Sequence, residues 1–373
     1  MLAARETARY VRATVKGTTV RELARIAAAT AIAAFIATAP GVSQAQNEDV
    51  SGEITLMSYA GIFEDQYKQA VIEPFLEAYP NVSVNYFTTG NSAQMLGALR
   101  AQQADPQIDV AIFDAGVALV GNAEGLLSKI TVDEVPNLAD LHPLALVQEG
   151  YGPAVTFDNL VIIYDTQDVK GLPTSLSELW NEAYDGSVGV SAMPNIQGIA
   201  LTAMTASMVG EDWTKSIDGA IEKLAELAPR VQTFDPQPDG YTMVLNDSIV
   251  IATGWNARAQ LFREQSNGRL GVMLPDEGSV FQINAINLVE GAPNKPAALA
   301  FIDYALSPEA QKRFTEAMYY APVNKKAEID PAALEKTALA RMDEMLPLDW
   351  SWVAQIREDW NERWRREVIA AGG

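Results

Sequence analysis

The chain has 373 residues, of which 48% are hydrophobic and 20% are charged, a composition typical of a globular protein large enough for two lobes. It contains no cysteine and a single histidine, His142, which excludes disulfides, thiolate metal sites and cysteine nucleophiles. A serine triad would need His142, but this residue lies in the proline-flanked stretch DLHPLA and the chain has no GxSxG-type motif. We therefore interpret His142 as an exposed loop histidine.

The first 45 residues have the three parts of a signal peptide. Six Arg and Lys side chains precede an apolar run of 14 residues, Ile26 to Ala39, which is too short to span a bilayer and is followed by the breaker PGVSQA. Ser43 and Ala45 place small side chains at the −3 and −1 positions of a signal-peptidase site. The pattern predicts cleavage after Ala45 and export to the periplasm. An uncleaved amphipathic anchor is the alternative interpretation.

Without that segment the protein is strongly acidic. Residues 1–45 carry six basic and two acidic side chains, a net charge of +4, and the whole chain carries −21, so the remainder carries −25. Such a surface repels nucleic acid and anionic lipid and attracts cations through its long-range field. The charge excludes nucleic-acid binding, and it favours a cationic ligand only weakly because acidic side chains also serve solubility.

From Gly52 onward, short strand patterns alternate with longer helical ones. GEITLMSYA predicts a strand, and IFEDQYKQAVIEPFLEAYP, residues 62–80, carries its apolar side chains on one helical face. NVSVNYFTT and SAQMLGALRAQQA predict a second strand and a second helix, with Ser92 as the N-cap. IDVAIFDA is an apolar run typical of a strand that is covered on both faces. This β-α-β-α-β order predicts a mainly parallel sheet.

A second α/β unit is predicted after a crossing segment, residues 151–166, which consists of two extended runs around Asp158-Asn159. The alternation restarts with a helix from SLSELW to Tyr184, the strand SVGVSA, a helix from about Gln197, the amphipathic WTKSIDGAIEKLAEL and the strand SIVIATGW. GVMLPDEGSVFQINAINLVEGAP is extended and would cross back. NKPAALAFIDYALSPEAQKRFTEAM predicts two helices broken at Ser307-Pro308, and DWSWVAQIREDWNERWRREV predicts a closing helix.

These patterns together predict an α/β protein with two lobes. We expect the first lobe at residues 52–154, the second at 155–284, a return to the first at 285–322, and C-terminal helices at 323–373 that pack on the second lobe. Two α/β lobes joined by crossing segments place the natural ligand site in the cleft between them, near the carboxyl ends of the strands.

Motifs for phosphate, metal or acid–base chemistry are missing. No Gly-rich loop follows a strand. DPQPDGYTMVLN, residues 235–246, imitates a calcium loop through Asp235, Asp239 and Gly240, but Asn246 stands where a bidentate acid is needed. We interpret it as a turn before a strand. The sequence predicts no cofactor, no metal site and no catalytic residue.

What remains is a set of strand ends that finish in aromatic, amide and small residues. MSYAG, FDAG, SAMPNIQG, GWNA and FQINA each place such residues at a strand end or a helix start, where side chains and backbone N–H groups can meet a ligand. Capping or core packing would explain any one of them, but their recurrence predicts one site. The candidate ligand-binding residues are Ser58, Tyr59, Gly61, Asp114, Asn195, Gln197, Trp255, Asn256, Gln282 and Asn284.

Most of the sequence after Gly52 resembles the extracellular solute-binding proteins of ABC importers, and among them the spermidine/putrescine-binding group (bacterial solute-binding protein family 1). The stretches that carry the resemblance follow in family order: SYAGIFEDQYKQAVIEPFLEAYPNVSV, DVAIFDAGVALVGNAEGLL, LSELWNEAYDGSVGV, GWNARAQ, PDEGSVFQINAINLV, YYAPVNKKA and DWSWVAQIREDWNERWRREV. The resemblance implies the type 2 periplasmic-binding fold, whose two α/β lobes close like a hinge on a solute. It also implies that Trp255 forms part of an aromatic box and that Tyr320 lies near the last crossing and belongs to the site.

The departures from the polyamine-binding members concern charge. Where those members have an aromatic residue and an aspartate, this sequence has Gln282 and Asn284, and where they have acids it has Asn195 and Gln197. A buried ammonium without a carboxylate costs several kcal/mol, so the amides disfavour putrescine and spermidine. Asp114 could hold one amine. Amides and helix N-termini favour a zwitterionic or carboxylated solute such as an opine, or a phosphonate.

The predicted function is a periplasmic solute receptor that performs no chemical step. It would close on a small polar solute (a polyamine-like amine, an opine or a related zwitterion) and deliver it to the permease of an ABC importer in the inner membrane. We expect a monomer. The alternatives left open are a phosphonate receptor, a ferric-ion receptor using Tyr319-Tyr320, for which the sequence supplies no nearby His or Glu ligand, and a cleft enzyme with an acid or base near Asp114.

Overall fold

The structure is a computed structural model that describes residues 49–346 and 349–372. The predicted signal peptide, residues 1–45, lies outside the described residues, so cleavage after Ala45 stays a prediction. Among the described residues, no helix combines the length and the apolar character needed to span a membrane.

The first lobe is built on a parallel sheet in the order β2-β1-β3, with helices between the strands. Every residue of β3 is buried, because this apolar strand is covered on both faces. The helical segment between β1 and β2 is continuous, but its middle turn is π-helical, Lys68–Ile72. The bounds are β1 Gly52–Tyr59, α1 Ile62–Tyr67, α2 Glu73–Ala78, β2 Val82–Thr89, α3 Ser92–Ala101, β3 Val110–Asp114 and α4 Ala115–Ala123.

Helix α3 is capped by Asn91, so the prediction of Ser92 as its N-cap is wrong. The Asn91 side chain accepts a hydrogen bond from the backbone N–H of Gln94 at 3.0 Å. The Ser92 hydroxyl instead accepts one from the backbone N–H of Asp114 at 3.2 Å, and it lies 3.0 Å from the Tyr59 hydroxyl. Ser92 therefore ties the start of α3 to the ends of β1 and β3.

Two long buried strands run from one lobe into the other. They are β4, Ala154–Asp165, and β9, Ser279–Leu288. β4 pairs with β9 along its first half and with β7, Ile251–Trp255, over residues 160–164, while β9 continues into the first lobe beside β3. β4 is continuous through Asp158-Asn159, where two separate runs were predicted, because the Asp158 carboxylate is hydrogen-bonded within the core.

The second lobe continues the sheet in the order β4-β7-β5-β6, with β8 on the other side of β4. The helix predicted up to Tyr184 is instead two short 3-10 segments, Leu176–Trp180 and Glu182–Tyr184. Asn181 separates them with an extended backbone and accepts a hydrogen bond from Ala183 N–H. The other bounds are β5 Val188–Gly189, α5 Ile196–Met208, α6 Asp218–Leu227, β6 Val231–Thr233, α7 Gly240–Leu245, α8 Asn256–Gln265 and β8 Leu270–Met273.

The C-terminal part contacts elements of both lobes. The break between α9 and α10 at Ser307-Pro308 is confirmed, and the Ser307 hydroxyl caps α10. Val323 accepts a hydrogen bond from the backbone N–H of His142, a half-buried loop residue. Trp364, after the closing helix α12, donates to the Thr202 hydroxyl of α5 at 2.8 Å, and α12 itself also lies against α4. The bounds are α9 Lys295–Ala305, α10 Pro308–Met318, α11 Pro331–Leu334, β10 Met345–Leu346 and α12 Trp350–Arg363.

The largest hydrophobic cluster is continuous across the two lobes. It includes Ile54 in β1, Phe157 in β4 and Trp364 near the C-terminus. The crossing strands are therefore embedded in the core and hold the lobes together from inside. The lobe boundaries expected from the sequence stay predictions.

Candidate functional site

A cavity of about 820 Å³ lies between the two lobes, and we call it the cleft. First-lobe residues at the ends of β1 and β3 and around the start of α3 form one wall, and second-lobe residues around the starts of α5 and α8 form the other. The strand β9 and the segment after α10 also contribute. The predicted site residues that line the cleft are Tyr59, Asp114, Asn195, Gln197, Trp255, Gln282, Asn284 and Tyr320.

Three predicted site residues do not line the cleft. Ser58 is fully buried, because successive side chains of β1 point to opposite faces and Tyr59 takes the cleft side. Gly61 is exposed at a positive φ of 71° and forms the turn into α1. Asn256 faces away: its amide donates to the Lys336 carbonyl at 2.7 Å and accepts from the Gln260 amide at 3.0 Å.

Tyr59 is held in place by a hydrogen-bonded chain at the bottom of the cleft. Its hydroxyl donates to the Asn284 amide oxygen at 3.0 Å, and the Asn284 amide nitrogen donates to the Thr156 hydroxyl at 2.9 Å. Burial raises the pKa of Tyr59 well above its ordinary value, and the charge of Asp114 adds to this effect. The phenol therefore stays neutral, and Asn284, only 1% exposed, orients Tyr59.

Two other amides have capacity left for a ligand. The Gln197 side-chain oxygen accepts a hydrogen bond from the Thr253 hydroxyl at 3.0 Å, which leaves its NH₂ group available. The Gln282 amide forms no hydrogen bond within the described ranges, although the residue is only 7% exposed. A buried amide needs hydrogen-bond partners, so Gln282 is suited to a polar ligand group.

Aromatic side chains supply the apolar part of the lining. Trp255 is half-buried in the second-lobe wall, and its backbone is fixed by Tyr241, whose hydroxyl accepts from Trp255 N–H at 2.6 Å and donates to Trp255 C=O at 3.0 Å. Phe234 and Tyr320 also line the cleft. Flat apolar surfaces of this kind pack against the methylene groups of a ligand.

Four helices begin at the cleft: α3, α4, α5 and α8. Asn91, Asp114 and Asn195 cap the first three by accepting hydrogen bonds from backbone N–H groups at 3.0, 3.1 and 3.0 Å. Trp255, the residue before α8, gives no side-chain cap, but the buried Asp158 carboxylate accepts a hydrogen bond from the backbone N–H of Ala257 at the start of this helix, at 3.0 Å. The positive ends of helix dipoles favour negative charge. The starts of α3 and α5 are capped by neutral amides and add positive potential to the cleft, whereas the carboxylates of Asp114 and Asp158 already occupy the starts of α4 and α8.

Arg258 is the one basic residue of α8 in the cleft lining, and it is not among the site residues predicted from the sequence. Its guanidinium lies close to the phenol of Tyr320, and its Nε atom is buried without a hydrogen-bond partner. Within the described ranges Arg258 forms no ion pair with a carboxylate. Arg258 directly follows the predicted strand end GWNA, in the first turn of α8, and this position was the sequence signal that points to it.

The cleft lining carries charges of both signs, and the second-lobe wall carries both an acidic and a basic side chain. Asp114 belongs to the first lobe, while Arg258 and Asp235 belong to the second. Arg357 reaches the cleft from α12 and donates to the Pro194 carbonyl at 2.6 Å. This lining can pair with a cation and an anion at the same time.

The two metal-like patterns of the sequence do not form metal sites among the described residues. Residues 240–245 of the stretch that begins at Asp235 form helix α7, capped by Asp239, where a turn was predicted, and the predicted strand follows as β7. Tyr320 lines the cleft, but the Tyr319 hydroxyl lies 3.4 Å from the Lys336 Nζ atom, beside a second cavity of about 630 Å³ that Lys336 lines. The two phenols therefore do not face one site.

Similar proteins are bacterial solute receptors. The chain is 23% identical to the gamma-aminobutyric acid-binding protein of Pseudomonas aeruginosa over 76% of this chain and 79% of that protein. It is 24% identical to the spermidine/putrescine-binding periplasmic protein of Escherichia coli over 65% and 71% of the two chains. The crystal structure of MotA from A. tumefaciens B6 in complex with glucopine has a TM-score of 0.72 at 18% identity and covers 86% of this chain and 100% of that one.

These similarities confirm the predicted α/β periplasmic-binding fold. Residues 70–341 match the family model of the bacterial extracellular solute-binding proteins, which is well over half of the chain. The chain therefore belongs to the bacterial extracellular solute-binding protein family, and it is the solute-binding component of an ABC transporter and not an enzyme.

Proposed function

We propose that the protein captures an amino-acid-like zwitterion in the cleft and delivers it to the permease of an ABC importer. The ammonium group would lie at Asp114 and the acidic group at Arg258, with the chain between them packed on Trp255. Binding would draw the lobes together around the crossing strands β4 and β9, and the closed form would present both lobes to the permease.

The observation that carries this proposal is the pair of opposite charges on opposite walls of the cleft. Arg258 forms no ion pair with a carboxylate of the described chain, so its guanidinium is available to an acidic ligand group. A guanidinium binds a carboxylate or a phosphonate through two parallel hydrogen bonds. A solute with charges of both signs would satisfy Asp114 and Arg258 together.

Three further features support a solute with an acidic group. The starts of α3 and α5 favour negative charge, and the amides of Gln197 and Gln282 can hydrogen-bond to polar groups of either kind. Two of the relatives are named for, or bound to, compounds of this class: gamma-aminobutyric acid and glucopine. A diamine would instead place one of its ammonium groups near Arg258, where the like charges repel each other.

The experiment is a thermal-shift comparison of gamma-aminobutyric acid and glucopine with putrescine and spermidine on the purified protein. A ligand that binds only the folded state at 100 times its Kd adds about 2.7 kcal/mol of stability, which raises the Tm of a protein of this size by several degrees. We expect such a rise with at least one zwitterion and none with the diamines. A rise with putrescine equal to or larger than that with either zwitterion would contradict the proposal.

A further inference from the structure

Asp158 is a fully buried carboxylate at the place where β4 passes from one lobe to the other. Its Oδ1 atom accepts hydrogen bonds from the backbone N–H groups of Asn159 at 2.9 Å and of Ala257 at 3.0 Å. Its Oδ2 atom has no hydrogen-bond partner within the described ranges. A buried carboxylate that lacks a partner is destabilising unless a nearby charge compensates it.

The charge that faces Asp158 is Arg258, which follows Ala257 on α8. The Nε atom of Arg258 is also buried without a partner. The other titratable groups around the pair are the phenols of Tyr241 on α7 and Tyr320 after α10. Asp239, the cap of α7, faces Arg258 as well. Asp158 is therefore surrounded by one guanidinium and two neutral phenols.

Burial raises the pKa of Asp158 to about 7, while its two backbone hydrogen bonds and the charge of Arg258 act in the opposite direction. The carboxylate therefore changes its protonation near neutral pH, and its charge depends on what else interacts with Arg258. Arg258 also lines the cleft, so a solute group bound there would interact with the same guanidinium as Asp158 does.

We propose that Asp158 is an internal counter-charge of Arg258, together with Asp239, and that an acidic solute group arriving at Arg258 draws a proton from the solvent onto the Asp158 carboxylate. This inference rests on the proposed function, because it requires an anion at Arg258. The bound anion takes over part of the attraction of Arg258 and repels the Asp158 carboxylate directly. Both effects favour the neutral acid, and the proton comes from water or buffer.

The consequence is that binding is stronger at lower pH. A ligand that raises the pKa of a group binds most tightly at a pH at which that group is already protonated in the free protein. Its affinity falls as the pH rises from the pKa of the group in the free protein to the pKa of the group in the complex. The total loss of affinity is about tenfold for each unit by which the ligand raises the pKa. The protein would therefore load its solute most readily from a mildly acidic medium.

The test is isothermal titration calorimetry of gamma-aminobutyric acid and of glucopine at pH 7, in phosphate and in Tris. The two buffers release protons with different enthalpies. If the protein takes up about half a proton when it binds the ligand, the binding enthalpy measured in phosphate therefore differs from that measured in Tris. Asp158→Asn keeps the Oδ1 acceptor for Ala257 and cannot titrate. We expect the variant to show equal enthalpies in both buffers and a Kd that is constant between pH 6 and 8.5.

Each outcome decides a different point. If the wild type binds a zwitterion with the same enthalpy in phosphate and in Tris, this inference is overturned and the proposed function still stands. Binding of neither zwitterion by the wild type would remove both. The wild-type comparison is decisive even if Asp158→Asn does not fold.

A ligand-free measurement tests the titration of Asp158 directly. The pKa of Asp158 in the folded protein lies above its value of about 3.9 in the unfolded chain. The wild type is therefore most stable relative to Asp158→Asn below pH 3.9 or so, about the unfolded pKa, and it loses this relative stability as the pH rises to about 7. We expect the unfolding midpoint in denaturant to shift in favour of Asp158→Asn between pH 5 and pH 8. A difference between the two proteins that does not change over this range would refute the titration.

Discussion

At the scale of single residues, the proposed specificity for an acidic solute group depends on Arg258. Arg258 and Arg263 lie on the same helix, α8, but Arg258 lines the cleft and Arg263 lines the second cavity. The two side chains have the same charge and chemistry, so a comparison between them separates an effect on the cleft from an effect of net charge.

Arg258→Lys should weaken zwitterion binding by about tenfold or more without unfolding the protein. Lysine keeps the positive charge beside Asp158, but it cannot present two parallel N–H donors to an acidic group. Titration calorimetry with gamma-aminobutyric acid and glucopine measures the effect, and Arg263→Lys is the matched control, expected to bind like the wild type. Equal affinities in Arg258→Lys and the wild type would mean that the guanidinium does not contact the solute.

Sequence alone could predict part of the site at this scale. Tyr59 and Asp114 are recognisable because they end apolar strands, and strand ends lie together at the edge of a parallel sheet. Ser58 was included wrongly, because the side that each residue of a strand faces is fixed only by packing. Arg258 and Asp158 were missed because their roles depend on how α8 is rotated against β4, which is a tertiary feature.

At the scale of elements, the cleft is defined by the helices that begin there. Asn195 caps α5, and the prediction of a helix start at this point is confirmed. Capping residues are recognisable in sequence because they serve the local backbone. The two short 3-10 segments that end at Tyr184 were not recognisable in the sequence, because Asn181 interrupts a stretch whose apolar spacing is otherwise helical.

Asn195→Asp should lower zwitterion affinity several-fold while leaving the stability within about 0.5 kcal/mol, since Asp and Asn are comparable N-caps. The new carboxylate offsets the positive end of α5 and repels an acidic solute group. Ser307→Asp is the control, because it adds the same charge at the start of α10, outside the cleft lining. Thermal unfolding and titration calorimetry of both variants check the two expectations. An equal loss of affinity in both variants would indicate a general effect of net charge.

At the scale of the whole molecule, two lobes are joined by the strands β4 and β9 of one continuous sheet. The fold class was predictable because the order of strands and helices is encoded locally and the crossing segments are extended and apolar. The charge balance of the cleft could not be predicted from the sequence, because it depends on residues brought together from three separate parts of the chain: Asp114, Arg258 and Arg357. A solute shifts the lobes toward closure only by as much as it prefers the closed state, and a ligand that bridges opposite charges on the two walls has that preference.

The most direct test is a crystal structure of the protein with the zwitterion that stabilises it most. We predict that the acidic group of the solute lies within hydrogen-bond distance of the Arg258 guanidinium and its ammonium group within the same distance of Asp114, with the two walls of the cleft closer together than in the present structure. A solute bound in the second cavity, or bound in the cleft with its ammonium group at Arg258 or its acidic group at Asp114, would contradict this account.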